Sequence, residues 1–140
     1  MTEPTVLERL ARVSARIAAS GRNPDEVAIV AVTKGFGVDA CREALAAGLK
    51  LLGENRVQEA LPKMEAVGGA EWHLIGHLQT NKVKQAAGRF ALIQSVDSMR
   101  LAEAMMDSAV STVLKGKTMD QADMGEGPEA PHPVAKADFE

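Results

Sequence analysis

Val27-Ala28-Ile29-Val30-Ala31-Val32, closed by Thr33-Lys34 and followed at once by Gly35-Phe36-Gly37, is the stretch that decides the fold. A continuous Val/Ile run is the pattern of a strand covered on both faces, as in a parallel sheet with helices outside it. The C-terminal ends of such strands are where α/β folds build their sites, which puts Lys34 at the mouth of one. A primary amine held half-buried in that place loses hydration, and this favours the neutral form that attacks a carbonyl or aldehyde. A lysine that snorkels from a strand end into water produces the same pattern, so the strand alone does not separate the two readings.

Working outward, Thr5 with Glu8 forms a capping-box pattern ahead of Leu10, Val13 and Ile17 at helical spacing, and Gly21 is a natural stop. The spacing then predicts strands over residues 27–33, 49–53, 72–76 and 91–95. Helices are predicted over 38–47, 56–67 and 81–87, with a last one capped by Asp97 or Ser98 and running through Leu101 and Met105. Pro62 falls inside the second of these, where a kink or two short helices are expected. Strands alternating with helices mean a parallel sheet with right-handed crossovers, either doubly wound or part of a β/α barrel. A full barrel needs roughly 200–250 residues, so four units make about half of one. Residues 1–110 are therefore read as a partial barrel domain. Beyond about Ser111 the pattern dissolves, and residues 115–140 hold three Pro and three Gly with no apolar face, which reads as an irregular or disordered tail over 111–140. Half a barrel leaves its first and last strands unpaired, an invitation to dimerise through the open edges.

The chain has 140 residues, 46% hydrophobic and 25% charged, enough for one domain with a real core. Sixteen Lys+Arg against 19 Asp+Glu, net −3, give no electrostatic reason to expect nucleic acid or an acidic membrane as partner. Aromatic residues are 3% of the chain and tyrosine is absent, which argues against base-stacking recognition. The single cysteine, Cys41, has no internal disulfide partner and reads as a buried helix residue. The Met1-Thr2-Glu3-Pro4 start lacks the features of a signal peptide, and no apolar stretch approaches membrane-spanning length, so a cytoplasmic location is expected.

Two constellations compete with Lys34 for the chemistry. Gly35-Phe36-Gly37-Val38-Asp39-Ala40 fits G-x-G-x-x-A after a strand, with Glu54 about twenty residues on to meet a ribose hydroxyl. Against this dinucleotide reading, Phe36 is bulky beside the tight turn and Asp39 repels phosphate. His73 and His77 suggest a metal pair, but four residues along a strand separate them by roughly 13 Å, too far for one zinc. His77 at a strand end still faces a site; His73 reads as an ordinary strand histidine. Lys82, Lys84 and Arg89 are accounted for as a solvated helix face.

The strings Val30-Ala31-Val32-Thr33-Lys34, Gly53-Glu54-Asn55-Arg56-Val57-Gln58-Glu59, Trp72 through Lys82 (WHLIGHLQTNK) and Ser95-Val96-Asp97-Ser98 occur in that order and spacing. Together, over about residues 5–107, they closely resemble the pyridoxal phosphate homeostasis proteins, the YggS/PROSC family. The resemblance implies a (β/α)8 barrel similar to the cofactor domain of alanine racemase. It also implies pyridoxal 5′-phosphate (PLP) held as a Schiff base on a lysine at the end of the first barrel strand. Lys34 matches that lysine, Asn55 matches a residue lining the cofactor pocket, and His77 lies at the next strand end around the barrel.

The function so implied is a non-catalytic one, buffering or delivering PLP to PLP-dependent apoenzymes. The alternative is a PLP enzyme of the racemase or decarboxylase kind, for which acid–base partners on both faces of the substrate are needed and only His77 is on offer. Family members continue for roughly another hundred residues, and nothing in residues 110–140 resembles the late loops that grip the phosphate. The resemblance therefore leads to the expectation of a truncated member that holds the cofactor weakly.

Overall fold

The computed structural model describes residues 2–119 of the chain. Four strands, β1 (Val30–Val32), β2 (Leu51–Glu54), β3 (Glu71–Leu74) and β4 (Leu92–Ile93), form one sheet in the order β1-β2-β3-β4. Every neighbouring pair is parallel, with Val32 beside Gly53, Gly53 beside His73 and His73 beside Leu92. Because the order never reverses, each right-handed crossover places its helix on the same side of the sheet. That is the winding of a β/α barrel, and it excludes the doubly wound alternative for these strands.

The helices are α1 (Val6–Ala19), α2 (Val38–Ala46), α3 (Val57–Ala66), α4 (Val83–Ala86) and α5 (Met99–Met119). The capping box of α1 is formed, with Glu8 N–H donating to Thr5 Oγ1 and Thr5 N–H donating to the Glu8 carboxylate. Ser98, of the two capping candidates, accepts from Leu101 N–H at 3.1 Å and starts α5. On the helix side of the sheet, Cys41, Ala44, Leu52, Val67 and Trp72 pack into one cluster, and Val57, Leu74, Leu78, Val83, Ala86 and Leu101 into a second. Cys41 is fully buried on α2, as its helical spacing implied.

The strand expected over 91–95 keeps only Leu92–Ile93, and the helix expected over 81–87 is a 3-10 turn, Thr80–Lys82, followed by the short α4. Three further features depart from the sequence pattern. The first strand is three residues long, because a 3-10 turn over Pro24–Glu26 runs into Val27 and pairing with β2 begins only at Val30. Pro62 does not break α3, which is continuous. Its missing N–H frees only the Gln58 carbonyl, and both residues lie on the exposed side where water replaces the bond. Helix α5 runs on to Met119, past the point where the tail was expected to begin. Once a helix is nucleated by packing, each further residue adds one backbone hydrogen bond, so the helix propagates beyond its packed turns. The remainder of the expected tail, residues 120–140, lies outside the described residues.

Candidate functional site at the C-terminal rim

The rim is built from a turn on β1. Phe36 N–H donates to the Thr33 carbonyl at 3.1 Å, and Gly35 has φ +76°, so Thr33-Lys34-Gly35-Phe36 is a β-turn with Lys34 in its second place. A positive φ at the third place is the demand that glycine meets without strain. Lys34 is thereby thrown outward, and it is exposed rather than half-buried as its strand suggested. The physical reason is the one-sided helix layer: Val32, which shares the strand face of Lys34, is itself 45% exposed. The amine is open to solvent and to any solute that reaches the rim.

Beneath this turn lies a cluster that sequence reasoning missed. Lys63 of α3 reaches up to the sheet and donates to Glu54 Oε1 at 2.5 Å and to the Thr33 carbonyl at 2.9 Å. Thr33 Oγ1–H donates to the same Glu54 oxygen at 2.7 Å. Glu54 is fully buried, Thr33 and Lys63 nearly so, and Glu54 Oε2 is buried with no hydrogen-bond partner. The signal was present in the sequence, since Lys63 falls on the same helical stripe as Val57, Ala60 and Val67. This geometry overturns the dinucleotide reading. A carboxylate sealed under the sheet and paired to a lysine has no access to a ribose hydroxyl.

Asn55 and Lys34 each stand one residue beyond the joined pair Glu54 and Thr33, which brings their backbones together on the rim. The position of Asn55 is guarded by Gly76, where an added Cβ would lie 2.3 Å from the Asn55 carbonyl oxygen. His77 lies further round, beyond the end of β3, with its Nδ1 3.2 Å from Asp97 Oδ2. The two share a cavity of about 430 Å³ with Asn81, Ser98 and Arg100. His73 faces elsewhere, its Nδ1 3.0 Å from Gln94 Nε2, and burial holds its imidazole below the usual value of 6.5 despite the opposing charge of Glu71. The two histidines thus take separate partners.

A singly wound parallel β/α sheet with a lysine, an asparagine and a histidine along its C-terminal rim is the class of barrel that places its chemistry at strand ends. No protein-family model matches the chain. It is 40% identical over 109 residues to the pyridoxal phosphate homeostasis protein of Pseudomonas aeruginosa, covering 74% of this chain and 47% of that protein. Its identity to the protein of the same name from Aquifex aeolicus is 38% over 124 residues, covering 84% of this chain and 54% of the other. Among solved structures, PipY of Synechococcus elongatus with PLP bound matches with a TM-score of 0.66 at 39% identity, over 78% of this chain and 50% of PipY. Over the part it spans, the chain is a homologue of the proteins named pyridoxal phosphate homeostasis protein. It spans about half the length of these relatives.

Proposed function

We propose that this chain binds PLP through Lys34 Nζ, with Asn55 and His77 as rim residues of the same pocket, and that it serves cofactor homeostasis without catalysing a reaction. The observation that carries this reading is the exposed primary amine on a defined turn at the strand-end rim, in a chain whose relatives bear that function in their names. A Cβ added at Gly35 or Gly37 would meet nothing within 4 Å, so the space beside the turn is open to a ligand. When bound, PLP supplies an aldehyde carbon that a primary amine captures covalently and reversibly. An attachment point open to water favours exchange, which is what buffering or delivery to PLP-dependent apoenzymes in the cytoplasm requires. Among the described residues no helix is long and apolar enough to cross a membrane. In the described sheet β1 and β4 are the edge strands, and self-association through them is part of the proposal.

The test is an absorbance titration of the full chain with PLP beside Lys34→Ala, followed by borohydride reduction and peptide mapping. The expected result is a Lys34-dependent band and a reduced adduct on that residue. A folded protein with no such adduct, or one unaffected by Lys34→Ala, refutes the assignment. A racemase-like reading has one observation in its favour, the imidazole of His77 oriented by Asp97, as a proton-transfer group would be. Conversion of L-alanine to D-alanine above the Lys34→Ala background would place it first.

A further inference from the structure

We infer that the buried Glu54–Lys63 pair is a clamp that fixes the turn presenting Lys34, which makes Lys63 a positioning residue for the cofactor amine. The inference rests on the reading of Lys34 given above, and its geometry is independent of any ligand. Thr33 is held at every polar atom it has. Its N–H donates to the Gly53 carbonyl at 3.0 Å, its hydroxyl to Glu54 Oε1, and its carbonyl accepts from both Lys63 Nζ and Phe36 N–H. The carbonyl that closes the turn is thus the one that Lys63 grips from below. Because the peptide between Thr33 and Lys34 is planar, fixing the Thr33 carbonyl fixes the direction in which Lys34 leaves the strand.

Stability alone accounts poorly for this arrangement. A buried ion pair is often no better than well-packed apolar residues of the same volume, because desolvating both charges offsets their attraction. Here one carboxylate oxygen is left without a partner as well, a cost that an apolar pair would avoid. What an apolar pair would not provide is a donor to the Thr33 carbonyl. The exposure of Lys34 makes that donor matter more: a flexible amine on a loose turn samples many directions, and only the backbone beneath it limits them.

The test replaces the pair by neutral groups of similar size, Glu54→Gln with Lys63→Met, so that no uncompensated charge is buried and the fold survives. Two readings are taken on the full chain. In ligand-free protein, residue-resolved amide exchange is expected to accelerate about tenfold or more at Phe36, with the Ile75 amide, which donates to the Glu54 carbonyl in the neighbouring ladder, unchanged. Unchanged exchange at Phe36 in a folded double variant overturns the clamp. With PLP, the half-saturating concentration for the Lys34 adduct is expected to rise about tenfold or more while the thermal midpoint stays within a few degrees. An adduct formed as readily as in the parent protein also overturns it. Absence of any Lys34 adduct in the parent refutes the proposed function instead, and the Phe36 amide still decides whether the clamp exists. A single Lys63→Met variant that unfolds while the double variant exchanges like the parent would assign the pair to stability and defeat the inference.

Discussion

Two side-chain pairs stand near the same rim, and they do opposite kinds of work. Glu54 and Lys63 are sealed between β2 and α3, with side chains 0% and 11% exposed, and they hold the backbone of a third residue. His77 and Asp97 are 67% and 58% exposed, and they line an open cavity. In the first, geometry is fixed and each charge depends on the other; in the second, water screens both partners and either survives alone. The rim is thus rigid where Lys34 leaves it and adaptable where His77 stands. That division suits the proposed PLP site, in which Lys34 is held in one direction while ligand enters and leaves.

The buried pair shows its character most when one of its charges is removed. Lys63→Met alone leaves Glu54 uncompensated under the sheet, and a loss of about 3–5 kcal/mol is expected from urea denaturation. For a domain of this size that approaches the whole of its stability. A loss below about 1 kcal/mol would mean that water reaches Glu54 and that the burial contrast is false. Next in size is Gly76→Ala, which tests the rim between the two pairs. The added methyl meets the Asn55 backbone and has no flexible side chain to displace, so a cost of about 1–3 kcal/mol and a weakened PLP adduct are expected.

How much of this was legible beforehand follows from the range of the interactions. The parallel winding, the place of Lys34 at a strand end and the burial of Cys41 come from local patterning, and they hold. The half-burial expected of Lys34 does not hold, because a Val/Ile run reports the burial of a strand averaged over both faces and does not say that helices cover only one. Glu54 fits a ribose-binding position only when it is read with the glycines before it, and the disfavoured dinucleotide pattern gives no hint of Lys63 nine residues after it. A lysine on an apolar helical stripe is the local half of that signal. The other half is a strand–helix contact that no period in the sequence displays.

A third expectation concerns the open face of the sheet. Burial lowers the affinity of His73 for protons, so in the folded state it stays neutral at a pH where the unfolded chain, near 6.5, already protonates. Stability is therefore expected to be full above about pH 7 and to decline as pH falls from 6.5 toward the lower folded value. His73→Gln, which keeps a hydrogen bond to Gln94 without titrating, is expected to flatten that decline. An unaltered pH profile in His73→Gln would place the titrating group elsewhere.

The smallest effect is expected at the exposed pair, and there a near-zero result is informative. Asp97→Asn keeps the size of the side chain and removes its charge, both from His77 and from the position just before the N-cap of α5. A surface pair contributes between about 0 and 1 kcal/mol, and a carboxylate near a helix N-terminus a similar amount, so the unfolding midpoint should hardly move. Affinity for PLP is expected to change less than in either Gly76→Ala or the Glu54→Gln/Lys63→Met protein, because His77 remains free to reorient in its open cavity. A loss of binding equal to that of the clamp variant, at unchanged stability, would reverse the assignment of roles. It would mean that Asp97 fixes His77 against the cofactor as firmly as Lys63 fixes the turn, and that the exposed half of the rim is organised as well.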